Sequence, residues 1–305
     1  PFTDRSQYTF NTKISDIEKS DCILIVGSNV RQEAPIINAR IRKHKLEKNI
    51  PIGVIGSNAD LTYDYEHLSS DLNSLVDLLS GKNNFTKKIK GSNNPMIIVG
   101  NSILNRKDSL SIFSLVEQII HKYKFFKEDW NGFNVLQIAA ARTGALDLGL
   151  YKPGGSLHKI YEDIKNEKIK LVISLGADEL DYAKIKKSKV VYIGTHGDKG
   201  ANQADIILPS AAYTEKDSIY INTEGRLQYA FKASFPPGNA KEDWKIINEI
   251  SNLLELNWAF VNLQNVRSLI KKQHANLFGF DSVTSIKYVR LFANKNPKAN
   301  LCNSS

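Results

Sequence analysis

Cysteine is almost absent from this sequence: the two it has, Cys22 and Cys302, stand at opposite ends of 305 residues. Neither a conventional iron–sulfur cluster nor a cysteine-based zinc site can be built from such a pair, and the spacing does not make the disulfide framework of a small secreted domain. A reducing compartment, or indifference to redox, is expected. Cys22 opens an apolar run and reads as a small core residue. Methionine is scarcer still. Met96 is the only one and the sequence begins at Pro1, so a processed or trimmed chain is expected, with a removed targeting peptide as one explanation. Long apolar runs are missing too. Stretches such as Cys22 to Val26 and Met96 to Val99 reach Gly well short of the about 20 residues a membrane-spanning helix needs. Membrane association is therefore expected only through partners.

What is present suits a large core. The composition is 42% hydrophobic, enough for one large α/β domain or two smaller ones. The balance of 41 basic against 32 acidic residues gives +9, which raises the question of a polyanion partner. The lysines lie in separate short clusters, Lys87, Lys88 and Lys90 or Lys184, Lys186, Lys187 and Lys189, without the interleaved aromatics of a base-stacking surface. A solvated lysine face is the reading, and no nucleic-acid partner is expected.

One pattern recurs. A short apolar run meets Gly and one or two small or polar residues: Ile23 to Val26 before Gly27, Ser28 and Asn29; Val54 and Ile55 before Gly56; Met96 to Val99 before Gly100. Leu171 to Leu175 runs into Gly176, Ala177 and Asp178, and Val190 to Ile193 into Gly194, Thr195 and His196. Strands apolar on both faces are strands buried between helices. Helical stripes fall between them, at Leu72, Leu75, Val76 and Leu79 with Gly81 as the stop, and at Leu110, Phe113, Val116, Ile120 and Tyr123. The fold class that follows is α/β, a doubly wound, mostly parallel Rossmann-like sheet. Near Ile206 the pattern shifts. Ile219 to Asn222 and Leu227 to Phe231 around Gly225 predict a small antiparallel excursion, and Asn239 with Glu242 a capping pair before a helix buried through Trp244, Ile247, Ile250 and Leu254. We assign 1–255 to the α/β domain, with a subdomain break near 90–130, and 256–305 to a tail holding one short helix near Leu263 to Ile270 and a polar end.

Chemistry is hard to find in these residues. Gly27-Ser28-Asn29 precedes a helix opened by Ala34-Pro35, a place where backbone N–H groups can hold an anion. There is no GxGxxG fingerprint or phosphate loop with its lysine, so a structural turn outranks a nucleotide site. Six histidines are scattered without metal-ligand spacing. His196 and Gly197 lie in the loop after a predicted parallel strand, and Glu215, Asp217 and Glu224 have no recognisable acid–base partner. No catalytic residue and no metal site are assigned.

Longer stretches carry a resemblance. Asp21 to Lys43, Ala141 to Gly149, Gly200 to Gln228 and Pro236 to Ile246 together resemble the molybdopterin-oxidoreductase-like, carboxyl-terminal half of the largest peripheral-arm subunit of respiratory complex I. The resemblance spans roughly residues 15 to 255. It implies a molybdopterin-oxidoreductase-type fold, and a non-catalytic structural domain or split subunit that supports electron transfer from NADH to ubiquinone. It also implies a vestigial pterin-dinucleotide pocket at Gly27, Ser28, Asn29, Gly176, Ala177, Asp178, His196, Gly197, Asn222 and Glu224. No cofactor is then expected in this chain, with iron–sulfur clusters and FMN in partner chains. The implied partners are other peripheral-arm subunits, above all the cluster-bearing amino-terminal half where that is a separate chain. The implied place is the matrix side of the mitochondrial inner membrane, or the cytoplasmic face of a bacterial one. Two rival readings stay open: a catalytic molybdopterin-dependent subunit and a basic anion- or nucleic-acid-binding module.

Overall fold

Alternation decides the first sheet. In a computed structural model, which describes residues 5–278 apart from 105, 138, 141, 151–156, 257 and 259, the chain divides into two compact units. One comprises Pro1–Gly155 with Ile221–Arg226, the other Ser156–Tyr220 with Leu227–Ser305. The first unit starts from β1, Cys22–Val26, all five residues buried. Neighbouring side chains in a strand point to opposite faces, so Cys22, Leu24 and Val26 enter one core while Ile23 and Ile25 enter another. Two cores need two layers of helix. A short helix α1, Val30–Glu33, leads into α2, Pro35–Lys48, with Pro35 in its first turn as the sequence predicts. There follow β2, Ile52–Ile55, and β3, Glu66–Ser69, then α3, Ser74–Ser80, and α4, Phe85–Lys90. Next come β4, Pro95–Val99, α5, Asn101–Leu104, and α6, Ser109–Lys122. A two-stranded antiparallel piece, β5 (Phe126–Lys127) with β6 (Trp130–Asn131), precedes β7, Phe133–Val135, and α7, Arg142–Asp147.

The strand order is β3-β2-β1-β4-β7, parallel throughout. The chain steps from β1 to one side, then crosses to the other, so the order reverses between β1 and β4. Helix α2 covers the core of Ile23 and Ile25; α3, α4 and α6 cover that of Leu24. Burial pushes the Cys22 thiol up to about 12, so at neutral pH it stays protonated and unreactive.

The second unit opens with α8, Leu157–Lys165, followed by β8, Leu171–Leu175, and β9, Lys189–Gly194. After α9, Lys199–Gln203, comes β10, Ile206–Pro209. These strands form a parallel sheet of order β10-β9-β8. The hairpin β11, Ser218–Ile221, and β12, Leu227–Ala230, turns at Gly225, and two helices close the described chain: α10, Asp243–Leu253, and α11, Leu263–Gln273.

The α/β class and its parallel sheets hold, but several local expectations are corrected. The five Gly-ended runs divide between two sheets, and the run at Ile206, where the sequence predicts a change of pattern, is a third parallel strand beside β9. On α3 the buried apolar residues are Leu75 and Leu78 while Val76 is 48% exposed; on α6 Ile112 and Ile119 join Val116 and Ile120, and Leu110 is 79% exposed. Each stripe is rotated because the neighbours above the sheet set its centre. Gly81 does end α3, with φ +84°. Asn239 and Glu242 do not cap α10: Ala240 N–H turns back to Pro237, Lys241 bonds to Pro209 and Ala211, and the Glu242 carboxylate accepts from Trp244 Nε1. In α10 the buried residues are Ile246 and Ser251, with Leu254 63% exposed. The helix near Leu263 to Ile270 is α11, whose reciprocal cap is Asn262 with Asn265. Cys302 and the polar end lie outside the described residues.

Leu24→Ala should cost about 3 kcal/mol in urea unfolding, whereas Leu110→Ala should change stability by less than about 0.5 kcal/mol. Equal costs would contradict the assigned face of α6. Cys22 should resist iodoacetamide in the folded protein at about pH 8 and react once denaturant is added.

Candidate functional site

In an open α/β sheet the carboxyl ends of the strands on either side of the order reversal flank the usual ligand crevice. Here those are the loops after β1 and β4. Gly27, with φ +64°, turns the chain out of β1. Its carbonyl accepts from Ser102 Oγ. Gly100 comes so close that a Cβ there would meet the Gly27 carbonyl oxygen at 2.1 Å, and a Cβ on Gly27 would lie 2.6 Å from Ile103. The two loops therefore touch through backbone and an isoleucine. The donors that follow are engaged as well: Glu33 Oε1 accepts from Asn29 N–H at 2.8 Å and Oε2 from Ser28 Oγ at 3.0 Å. A carboxylate of the chain itself occupies the position that an incoming anion would take. The Asn29 Oδ1 is buried without a hydrogen-bond partner.

The second unit satisfies its loops in the same way. Asp178, after β8, accepts from Gly200 N–H, and Asp198 caps α9 by accepting from Ala201 N–H at 3.2 Å. Gly194 and Gly200 make room for the ring of Tyr192, where a Cβ on either would clash at 2.3 or 2.5 Å, and the Tyr192 hydroxyl donates to Asp198. That hydroxyl, with the backbone N–H groups of Ala201 and Gly200, holds the Asp198 carboxyl below its usual range. The Ala177 carbonyl accepts from Ser174 Oγ at 2.8 Å. His196 is exposed, with Nδ1 2.8 Å from Thr195 Oγ1, and Gly197 is exposed beside it.

Asn222 and Glu224 belong to the first unit and shape a turn against its amino-terminal segment. Asn222 Oδ1 accepts from Arg226 N–H, Glu224 Oε2 accepts from Ile14 N–H at 2.8 Å, and Thr223 bonds to Phe10 and to Gln137 just past β7. The same segment binds the 141–149 motif. Arg5 donates to both oxygens of Asp147 at 2.9 Å and to the Gly225 carbonyl, and Tyr8 donates to Asp147. The Asp147 side chain is only 1% exposed. So Gly27 to Asn29 and Asn222 to Glu224 lie in one unit, with β4 between β1 and the strand whose end Thr223 meets. Gly176 to Asp178, His196 and Gly197 lie in the other.

Residues the sequence did not single out do most of the bonding: Glu33, Tyr192, Asp198, Arg5 and Asp147. Only Glu33 left a trace, a carboxylate four residues after an asparagine at a helix start, close to the capping-box spacing. Glu215 and Asp217 are turn acids, accepting from Ala212 N–H and Lys232 N–H. The lysine cluster is largely paired, Lys184 with Asp181, Lys187 with Glu167 and Lys189 with Asp205. Among the described residues no three His, Cys, Asp or Glu converge as a metal site, and no helix is long and apolar enough to cross a membrane.

Gly-ended parallel strands in a doubly wound sheet define a Rossmann-like α/β protein. More narrowly, the chain belongs to the molybdopterin oxidoreductase family, which it matches over residues 2–253. It is 39% identical over 93% of its length to the NADH-ubiquinone oxidoreductase 75 kDa subunit of Reclinomonas americana, of which it covers 41%. It is 40% identical over 94% of its length to an NADH-quinone oxidoreductase subunit of Rickettsia felis, again covering 41%. Against the mitochondrial NADH-ubiquinone oxidoreductase 78 kDa subunit of Neurospora crassa the values are 41% identity, 92% of this chain and 37% of that protein. The chain thus spans about two fifths of the length of these relatives. In fold it is similar to acetylene hydratase from Pelobacter acetylenicus, with a TM-score of 0.56 at 12% identity over 81% of this chain and 49% of that one.

Two measurements test these assignments. Asp147→Ala leaves the Arg5 guanidinium without its carboxylate and should lower stability by about 3 kcal/mol in denaturant unfolding; a loss below about 0.5 kcal/mol would contradict the buried pairing. The contribution of Asp198 is whole above the unfolded carboxyl's pKa of about 4 and is lost as pH falls through the lower folded value. Asp198→Asn should therefore flatten the acid side of the melting temperature against pH, and an unchanged acid slope would refute the cap.

Proposed function

We propose that this chain is a non-catalytic, structural part of the peripheral arm of respiratory complex I. In this reading it carries no cofactor of its own and supports neighbours whose iron–sulfur clusters and FMN pass electrons from NADH to quinone. Its partners are other complex I subunits, above all the polypeptide segment that bears the clusters. Its place is the matrix side of the mitochondrial inner membrane, or the equivalent cytoplasmic face in a bacterium. The assembly is suggested by the names its relatives carry at about 40% identity over nearly the whole chain.

The observation that carries the non-catalytic part is internal occupation of the loops. A pterin dinucleotide held in the manner of this fold needs free backbone donors beyond the strand ends and glycines with open space above them. Glu33 takes the donors after β1, and the Gly27–Gly100 contact closes the gap to β4. Beyond β8 and β9, Asp178 and Asp198 take the N–H groups of Gly200 and Ala201 and the Tyr192 ring fills the space at Gly194 and Gly200, while Gly176 and Gly197 keep open space above them. The loops after β1 and β4 do not fit the group. No step of a redox reaction is assigned to any residue of this chain.

On a native gel of detergent-solubilised membranes, the chain should migrate with NADH dehydrogenase activity in a very large complex. The purified chain should yield no fluorescent pterin after acid oxidation and no stoichiometric molybdenum. Stoichiometric pterin would overturn the structural reading and favour a molybdopterin-dependent catalyst.

A further inference from the structure

Parallel sheets are normally covered by helices on both faces, and the two sheets of this chain differ in that respect. In the first unit every residue of β1, β2 and β4 is buried. In the second, register sorts the side chains into two faces. Val172 and Val190 look toward Ile164 of α8 and toward Tyr182 and Ile185, a small core. The opposite face holds Leu171, Ile173 and Leu175 of β8, Val191 and Ile193 of β9 and Ile206 and Leu208 of β10, since Ile173 and Ile206 both pair with Val191 and Leu175 and Leu208 with Ile193. Ile193 is buried, and the open part of the face runs along β8 and at Ile206. Leu171 and Ile173 are each 52% exposed, Leu175 48% and Ile206 54%. Among the described residues no strand pairs with the outer edge of β8. An apolar edge strand with a bare face is the kind of surface that proteins cover.

We propose that this face is a docking surface for an amphipathic α-helix supplied by the part of the subunit that lies outside the region this chain shares with its relatives, whichever polypeptide carries that part. A helix is the natural cover for a parallel sheet. Its source follows from length, because more than half of each relative lies beyond the shared region. Its polar shoulders are acidic, because Lys165, Lys170 and Lys186, on the segments leading into β8 and β9, lack a carboxylate partner among the described residues, while Lys168, Lys184, Lys187 and Lys189 are paired within the chain. The proposal rests on the structural reading above and adds the surface and the chemistry of its occupant.

Carbene footprinting of the native complex and of the isolated chain tests it. Leu171, Ile173 and Leu175 should be labelled in the isolated chain and lose that labelling in the complex. Carbodiimide crosslinking in the complex should join the lysines of 165–189 to acids in the sequence that corresponds to the relatives' remaining length. Ile173→Glu, at a half-exposed position, should keep the wild-type circular dichroism and lose co-migration with the complex, whereas Leu110→Glu on α6 should co-migrate normally. Labelling of β8 that persists in the complex overturns the docking surface and leaves the structural reading standing. Protection with crosslinks only to a different subunit, to a second copy or within this chain overturns the assigned occupant. A chain found only free, with β8 labelled, overturns both.

Discussion

A central strand of a doubly wound parallel sheet has no solvent-facing side, and this requirement governs the first unit. β1 meets it completely: its even-numbered side chains lie under α3, α4 and α6 and its odd-numbered ones under α2. Five apolar residues in a row have no alternation to expose, so the strand is stable only between two layers. The inert Cys22 thiol, the contact of the first turn with β4 and the order of the sheet are consequences of that sandwiching. Without the second layer each of those side chains would return roughly 1.5–3 kcal/mol of burial to water.

Satisfying the strand interior creates a second problem at its carboxyl end, where the chain leaves the sheet and its N–H groups lose their ladder partners. A buried donor left unpaired costs about 1–3 kcal/mol. A bound anion can meet that cost in sheets of this kind; this chain meets it with its own acids. Glu33 sits across Asn29 and Ser28, Asp178 across Gly200, and Asp198 across Ala201. Gly194 at the end of β9 and Gly200 in α9 are packed against the chain's own Tyr192, while Gly197 between them stays open. The same internal pairing that stabilises the turns therefore closes them.

How much of this was legible follows from the range of each interaction. Burial of a strand on both faces is written in consecutive residues, so β1, β4 and β9 could be found from Ile23, Met96 and Val190 onward. Helix stops are local too, as at Gly81. The phase of a helix is not local: α6 turns Ile112 and Ile119 inward and Leu110 outward because of what lies beneath it, and a stripe wide enough to include all three does not choose. Capping at Asn239 failed because Lys241 is drawn into pairing with Pro209, a partner 32 residues away. The pairings of the loop acids were invisible for the same reason in reverse. Asp178 and Gly200, or Arg5 and Asp147, are distant in sequence, and nothing in either stretch names the other.

The uneven covering of the two sheets ties stability to assembly. In the first sheet β1, β2 and β4 are closed on both faces by residues of their own unit. The second has one face closed by α8 and the short turn at Tyr182, and the proposed docking helix would close the part of the other face that β8 leaves open. Whatever binds the folded form alone adds its binding free energy to folding, so the second unit is the part whose local opening responds to association. On the structural role proposed above, such a chain would present its first sheet already closed and complete its second against a neighbour, with the apolar side chains of β8 linking that unit's stability to assembly.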